Sequence, residues 1–281
     1  MSEYRIRQLA PRDIGLCVDW AAAEGWNPGL HDAACFAAAD ATGFFAGCLN
    51  GEPVATISVV KYGATFAFLG LYIVAPAQRG RGYGLALWNH ALATARGRNV
   101  GLDGVVAQQD NYTRSGFALA YRNIRYRGLR GSDAPLDARV VPLSRFRFEE
   151  IARYDRAFFP EARDAFLRAW IAQPGAKAMA VEQAGRMGGY GVIRPCRTGF
   201  KIGPLFAEDA SCAEALFHAL TMRVPAGSGI FLDVPEPNRA AIALAERHGM
   251  IPVFETARMY TGPAPRLPLT RLFGVATFEL G

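Results

Sequence analysis

The chain has 281 residues, of which 51% are apolar, so it can bury one large core or two of ordinary size, and disorder is excluded as its default state. Its net charge of +6 is spread over both halves without a dense basic run, which does not favour a nucleic-acid partner. The five cysteines include no Cys-x-x-Cys pair, so they indicate reduced thiols and exclude both a disulfide framework and a zinc site.

The compartment follows from what the sequence lacks. The first residues contain no apolar signal region, and the longest apolar run, about residues 64–77, is too short to span a bilayer. We therefore expect a cytoplasmic protein with neither a membrane nor a nucleic acid as partner. Composition leaves monomer and homodimer open.

The first half reads as alternating strands and helices. In chain order, its predicted elements are a strand (4–9), a helix opened by Pro11, a loop (24–29), a short helix after 30–32, strands at 43–49 and 53–60 joined by an Asn50-Gly51-Glu52 turn, a third strand (66–74), a helix from 83, a strand (102–107), a short helix (111–117) and a closing strand (121–127).

A glycine-rich turn between the third strand and the next helix carries the strongest chemical signal. Glycines at 80, 82 and 84 allow a ligand to approach the backbone closely. The first N–H groups of a helix lack partners within the helix, and its dipole favours an anion there. Arg79 and Arg81 add positive charge. The turn therefore predicts a diphosphate site.

The spacing within this turn decides between known phosphate loops. A Gly-Lys-Ser/Thr ending is missing, and a dinucleotide fingerprint would need glycine where Leu85 or Leu87 stands. The run Arg79 to Gly84 instead fits R/Q-x-x-G-x-G/A, which resembles the acetyl-CoA pyrophosphate loop of the GNAT N-acetyltransferase family. The resemblance implies acetyl-CoA as co-substrate, no metal, and these cofactor-binding residues: Tyr72, Ile73, Val74, Arg79, Gly80, Arg81, Gly82, Tyr83, Gly84, Leu85 and Asn111.

The pattern restarts after a stretch of turn formers at 128–137, which predicts two units, 1–130 and 139–281. Gly70 and Gly116 are 46 residues apart, and so are Gly203 and Gly249. Together with the motifs of the two-domain GNAT subgroup at 24–29, 101–105, 111–117, 258–260 and 278–281, this spacing predicts an α+β fold of tandem GNAT units, each a mixed, mostly antiparallel sheet with helices on both faces.

The second unit is expected to be silent towards CoA. In place of the glycines it has three carboxylates, Glu208, Asp209 and Glu214, which would repel a pyrophosphate. We expect it to contribute to the acceptor site instead.

Roles for individual residues come from the resemblance. It implies Tyr112 as the general acid that protonates the CoA thiolate. The glutamate that some family members carry on the cofactor strand is missing from 66–74, so Glu24 is the first remaining candidate for the general base, with Asp32 and Tyr72 (through water) as alternatives. The resemblance also implies Trp26 and Asn27 as acceptor-site residues. From the second unit we expect Tyr190 and Tyr260 to close that site from the other side, with Arg194, Lys201 and Glu279 as further candidates.

The leading hypothesis is a cytoplasmic acetyl-CoA-dependent N-acetyltransferase that acts on the primary amine of a small molecule by direct attack. Two alternatives stay open. One is a transferase that modifies a protein amine or uses a longer acyl-CoA, and the other is a CoA-binding sensor or interaction protein without catalysis.

Overall fold

The computed structural model describes residues 3–131 and 135–281. The strands of the first half are β1 (Tyr4–Gln8), β2 (Phe44–Leu49), β3 (Glu52–Tyr62), β4 (Phe66–Val74), β5 (Asn99–Val105) and β6 (Ala118–Leu129). Its helices are α1 (Gly15–Ala23), α2 (Asp32–Ala39), α3 (Tyr83–Thr94) and α4 (Gln109–Arg114).

The second half repeats this order of strands. They are β7 (Val140–Pro142), β8 (Lys177–Gln183), β9 (Arg186–Pro195), β10 (Phe200–Ala207), β11 (Gly229–Pro235), β12 (Ile251–Tyr260) and the additional β13 (Leu272–Gly274). The helices are α5 (Phe148–Asp155), α6 (Asp164–Ala172), α7 (Ala210–Thr221) and α8 (Arg239–Arg247).

Within the described ranges the strands form one 13-stranded sheet in the order β1-β2-β3-β4-β5-β12-β6-β11-β10-β9-β8-β7, with β13 paired to β10. The two halves exchange their last long strands: β6 pairs with β11 of the second half, and β12 pairs with β5 of the first. β6 and β12 then pair with each other at the centre of the sheet. The predicted closing strand of the first half therefore exists, but it closes the sheet of the second half.

A buried ion pair marks each exchanged strand. Arg125 on β6 binds Asp233 on β11 through two hydrogen bonds of 2.6 and 2.7 Å. Arg258 on β12 binds Asp103 on β5 in the same way, at 2.8 and 2.6 Å. The two pairs occupy equivalent places in the two halves, so the duplication extends to this contact.

One face of the sheet carries a core shared by both halves, built from α1, α2, α5 and α6, with Phe36 of α2 stacked 6.4 Å from Trp170 of α6. The opposite face carries two separate cores, one under α3 and one under α7 and α8. The tandem, mostly antiparallel fold with helices on both faces is thereby confirmed.

Local differences from the predicted elements are small. Asn50 and Gly51 have φ values of 51° and 91°, as the predicted turn between β2 and β3 requires. The strand predicted at 102–107 ends at Val105 and continues as a 3₁₀ turn. The predicted boundary at 128–137 includes residues 132–134, which lie outside the described residues, and the domain limits stay a prediction. Among the helices described, none combines the length and apolarity needed to cross a membrane.

Candidate active site

The candidate site is a gap between two parallel strands. β4 and β5 pair from Phe66 opposite Asn99 to Leu69 opposite Leu102, and the pairing ends there. A register shift against β3 follows at once, and Leu71 in it has a φ of 50°, the signature of a bulge. The bulge turns the remainder of β4 away from β5, and a cavity of about 560 Å³ opens between them.

Glycines shape the outer end of this cavity. Gly80 and Gly82 have φ values of 75° and 84°, and Gly82 is the N-cap of α3. A Cβ at either position would meet open space, so these glycines are needed for backbone conformation. Gly84 is needed for space, because its Cβ would lie 2.6 Å from the Tyr72 hydroxyl. The N-terminus of α3 therefore faces the cavity without an obstructing side chain.

Arg79 and Glu24 are bound to each other at this outer end. Nη2 of Arg79 donates to Oε1 of Glu24 at 2.5 Å, and its Nε donates to the Val74 carbonyl at 2.9 Å. Both side chains line the cavity. The arginine predicted to bind cofactor and the carboxylate predicted as base are thus brought together.

Tyr112 lines the inner part of the same cavity. Its ring stacks on Trp88 at 5.6 Å and lies over Gly104, where a Cβ would come within 2.1 Å of the ring. Burial, together with the neighbouring Tyr72, raises the pKa of Tyr112 to about 12. The hydroxyl therefore keeps its proton throughout the neutral range, as a general acid must.

The far wall comes from distant parts of the chain. Trp26 of the loop after α1, Phe254 of the exchanged strand β12, and Phe278 and Glu279 line it. Residue 279 is wedged against β4, since a Cβ on Gly70 would lie 2.1 Å from the Glu279 carbonyl oxygen. Sequence reasoning placed Glu279 near the acceptor site but missed Phe254, because nothing in the pattern indicates that β12 crosses to the first half.

Most of the predicted cofactor residues meet at this cavity: Tyr72, Ile73, Val74, Arg79, Gly80, Gly82, Gly84 and Leu85 line it. Arg81, Tyr83 and Asn111 are not among its lining residues. Tyr83 instead stacks on Tyr4 at 4.7 Å, and Asn111 bonds to Gln108 and Arg114 beside it in the chain.

Three of the predicted acceptor residues lie elsewhere. Asn27 exchanges two hydrogen bonds with the backbone of Thr198, which fasten its loop to the second half. The hydroxyl of Tyr190 donates to Asp155 at 2.5 Å in the shared core, where burial raises the tyrosine pKa well above its ordinary value. Tyr260 is 2% exposed and packs against Phe66. None of the three is among the residues that line the cavity.

Asp32, the alternative base, already accepts hydrogen bonds within the protein. It is fully buried, accepts from Nε of Arg194 at 2.9 Å, and accepts from the Gly29 backbone at 2.7 Å. Asp32 and Arg194 thereby fasten the first half to the second. In the described ranges, no set of three potential metal ligands is clustered closely enough to hold an ion.

These features define a class of protein: an α+β domain pair with a splayed strand gap, a glycine-rich helix N-terminus that suits a diphosphate, and a protonated tyrosine between them. Comparisons agree with that class. Residues 6–117 match the model of the "Acetyltransferase (GNAT) family", and residues 151–274 match that of an "Acetyltransferase (GNAT) domain".

Relatives and structures extend the match over the whole chain. A holothin acyltransferase from Pseudoalteromonas sp. (strain SANK 73390) is 33% identical over 263 residues, which cover 94% of this chain and 90% of that protein. A candidate acetyltransferase from Pyrococcus horikoshii has a TM-score of 0.84 at 22% identity, with 99% and 96% of the two chains covered. A tandem GNAT protein from the clavulanic acid biosynthesis pathway has a TM-score of 0.65 at 16% identity, with 94% and 100% covered. The chain belongs to the GNAT family and is an acyltransferase with two GNAT domains.

Proposed function

We propose that the protein is an acetyl-CoA-dependent N-acetyltransferase that acetylates the primary amine of a small molecule by direct attack. The observation that carries the proposal is the continuity of one cavity, from the glycine-capped N-terminus of α3, past Tyr112, to the aromatic far wall. A cofactor laid along β4 and an acceptor approaching from the far wall would meet beside the bulge. The name of the 33% identical relative supports acyl transfer as the reaction.

The cofactor would be bound mainly by backbone groups. The pyrophosphate fits the first turn of α3, where unpaired N–H groups and the helix dipole favour an anion. The Ala75 N–H points to β3, where it donates to the Val54 carbonyl at 2.9 Å. Because successive N–H groups of a strand alternate in direction, the Val74 N–H points into the gap and can donate to the pantetheine arm.

The reaction needs one proton removed and one supplied. The neutral amine attacks the thioester carbonyl carbon, a C–N bond forms, the C–S bond breaks, and the CoA thiolate leaves. Tyr112 donates its proton to that thiolate. The attacking nitrogen gives up a proton to a carboxylate, for which Glu24 and Glu279 are the two candidates that line the cavity outside a buried ion pair.

The proposal is tested by calorimetry with acetyl-CoA, followed by a thiol-release assay with a panel of amines and mass detection of the acetylated product. One acetyl-CoA per chain and N-acetylated product from at least one small amine are expected. Binding without turnover across the panel would favour a sensor. Faster turnover with octanoyl-CoA or with a peptide amine would favour the other enzyme alternative.

The two candidate bases are separated by comparing Glu24→Gln with Glu279→Gln in pH–rate profiles. The variant that removes the base loses the rise of kcat/KM with pH, and the other variant keeps it. We further propose a cytoplasmic location, a monomer or homodimer, and neither a nucleic acid nor a membrane as partner.

A further inference from the structure

The bulge in β4 is a strained piece of backbone at the edge of the cavity. The pairing of β3 with β4 leaves two residues of β4, Leu71 and Tyr72, opposite the single Ile57 of β3. The φ of 50° at the buried Leu71 is a conformation that residues with a large side chain rarely adopt. Such strain persists only where the surroundings impose it, and it is concentrated at functional sites. The contacts that hold this bulge are therefore candidates for a functional role.

Two contacts hold the bulge in place. The hydroxyl of Thr56, a fully buried residue of β3, donates to the Leu71 carbonyl at 3.0 Å. One residue earlier in β4, a Cβ on Gly70 would come within 2.1 Å of the Glu279 carbonyl oxygen, so the segment that follows β13 packs directly on the backbone there. Of the two contacts, the hydrogen bond from Thr56 is the one that sets the direction of a peptide group.

The Thr56 hydroxyl has a second neighbour, the thiol of Cys17 on α1. Burial raises the pKa of that thiol to about 12, although a hydrogen bond with Thr56 acts in the opposite direction. The thiol is therefore uncharged at neutral pH, and a neutral sulfur is a weak hydrogen-bond acceptor. It does not compete with the Leu71 carbonyl for the hydroxyl proton, so the bond from Thr56 to β4 is maintained.

The direction of one N–H group follows from this hydrogen bond. The Leu71 carbonyl and the Tyr72 N–H belong to the same planar peptide, so they point in opposite directions. Because Thr56 holds the carbonyl towards β3, the Tyr72 N–H points away from β3. On that side β4 no longer pairs with β5, since their pairing ends at Leu69, and Tyr72 lines the cavity. The Tyr72 N–H therefore faces the gap.

Tyr72 and Val74 thus present two N–H groups to the same gap. Groups two residues apart on a strand are separated by about 6.6 Å. The amide carbonyl and the thioester carbonyl of an acetylated pantetheine arm are separated by a comparable length. An arm whose amide oxygen accepts from the Val74 N–H therefore brings its thioester oxygen to the Tyr72 N–H.

We propose that Thr56 is a positioning residue for acyl transfer: its hydroxyl fixes the peptide between Leu71 and Tyr72 so that the Tyr72 N–H donates to the thioester carbonyl oxygen. When the amine attacks the carbonyl carbon, the electron pair of the C=O bond moves onto that oxygen, and a donor already in place stabilises the negative charge. The C=O bond forms again as the C–S bond breaks. This inference rests on the proposed acetyl transfer from acetyl-CoA and assigns a residue that prepares the same site.

The experiment measures the infrared stretching frequency of the thioester carbonyl, with acetyl-CoA that carries ¹³C at that carbon and is bound to the full-length protein. A hydrogen bond to the oxygen weakens the C=O bond and lowers the frequency. We expect a lower frequency on the wild type than in solution. Thr56→Val keeps the shape but removes the hydroxyl, so it should return the frequency towards the solution value. Thr56→Ser should keep the wild-type frequency.

Ser58 offers a matched control on the same strand. It is fully buried, and its hydroxyl has no hydrogen-bond partner among the described residues. Ser58→Ala removes a buried hydroxyl from β3 without releasing the peptide, and should leave the frequency unchanged. Urea denaturation shows that each variant is folded, and Thr56→Ala takes the place of Thr56→Val if the valine variant is not. An equal change in Ser58→Ala would overturn the specific role of Thr56.

Steady-state kinetics separate positioning from general support of the fold. In Thr56→Val the kcat should fall at least about tenfold, because the N–H matters most when the oxygen becomes negative, whereas the KM for acetyl-CoA should change by less than about threefold. Thr56→Ser should restore the kcat. A variant that only loosened the cavity would raise the KM instead, and that result would contradict the positioning role.

The infrared result and the acetylation assay decide separately. A frequency on the wild type equal to that in solution, or an unchanged frequency in Thr56→Val, overturns the role of Thr56 even if an amine is acetylated. The expected frequencies without any acetylated amine would leave the placement of the peptide standing and overturn the acetyltransferase. Failure of acetyl-CoA to bind would overturn both.

Discussion

The two halves of the molecule treat the same gap in opposite ways. In the first half β4 and β5 separate after Leu69, and the space between them stays open as the cavity. In the second half β10 and β11 separate after Ile202, but β13 lies in the gap and pairs with β10. The N–H of Val275, the residue after β13, donates to the Asp233 carbonyl of β11 at 2.9 Å. In the second half, β13 therefore occupies the space that in the first half stays open as the cavity.

The helix N-termini beside the two gaps differ in the same sense. α3 begins after Gly82, which presents no side chain, whereas α7 begins after Asp209, whose carboxylate accepts from the Cys212 N–H at 2.8 Å. That backbone hydrogen bond lowers the pKa of Asp209. An internal anion thus occupies the position that suits a phosphate in the first half. The second half has the same fold, but β13 and the Asp209 carboxylate occupy the places that correspond to the cofactor site of the first half. Its contribution to the cavity is the residues of β12 and of the segment after β13 that line it.

The largest effect is expected when the N-cap of α3 is replaced by the aspartate that caps α7. Gly82→Asp would place a negative charge at the N-terminus of α3, where the Cβ meets open space. Two like charges about 4 Å apart at an effective dielectric of about 20 repel by about 4 kcal/mol. We expect the Kd for acetyl-CoA, measured by calorimetry, to rise several hundredfold.

Gly82→Asn is the matched control, because asparagine and aspartate tolerate a positive φ about equally well. Since it adds the same bulk without charge, it should change the Kd by no more than a few-fold. A comparable loss in both variants would mean that the side chain, and not its charge, blocks the site.

The second test compares the two ion pairs of the exchanged strands. Arg125→Met removes both Arg125 hydrogen bonds to the carboxylate of Asp233, which is 1% exposed, and should lower the free energy of unfolding by at least about 3 kcal/mol. Arg258→Met should cost less, because Asn123 still donates to Asp103 at 2.8 Å. Urea denaturation measures both, and an equal loss would show that the remaining hydrogen bond does not compensate.

The ion pair between Arg125 and Asp233 predicts that the stability of the protein depends on pH. Burial alone would raise the pKa of Asp233, but the ion pair with Arg125 outweighs it, so the net shift is downward. A depressed folded pKa means that the stabilisation is present above the unfolded value of about 3.9 and is lost as the pH falls through the folded value. In acid, wild type and Arg125→Met should therefore converge in stability.

A third test concerns the acid. The position in the second half equivalent to Tyr112 is the buried Ala245, which has no hydroxyl. Tyr112→Phe keeps the ring on Trp88 and should lower kcat about a hundredfold, with the Kd for acetyl-CoA changed little.

Because burial raises the Tyr112 pKa to about 12, the protonated form persists up to that pH, and activity that depends on it falls only as the pH approaches 12. A pH–rate profile of the wild type checks this. A decline centred near pH 10, the ordinary value for tyrosine, would contradict the assignment.

The local features of the site could be predicted from the sequence, and the long-range ones only partly. The glycines at 80, 82 and 84, the following helix and the repeat could be predicted because each is local: a strand pattern, a turn and a spacing. The far wall could be predicted only in part: Trp26 and Glu279 were expected near the acceptor site, whereas Phe254 was not, because it reaches the cavity through strand exchange. Pairing across that distance in the chain leaves no periodic signal in the amino-acid pattern.

Buried charges set the second limit. Asp32 and Arg194 read from the sequence as candidates for chemistry, since both types can bind or catalyse. In the structure Arg194 donates to Asp32, 162 positions away, and neither side chain is exposed. Sequence shows that such residues are present and cannot show that they have already found a partner.

The smallest effect is expected when the charged N-cap of α7, Asp209, is removed from the second half. Asp209→Ala removes the N-cap of α7 and should lower the free energy of unfolding by about 1 kcal/mol in urea. Asp209→Asn, which can cap equally well, should restore it. Neither variant should bind a second acetyl-CoA, because β13 still fills the gap beside β10 and leaves no room for the pantetheine arm. Two cofactors per chain in calorimetry would show that Asp209 alone kept the second copy silent and that β13 can be displaced.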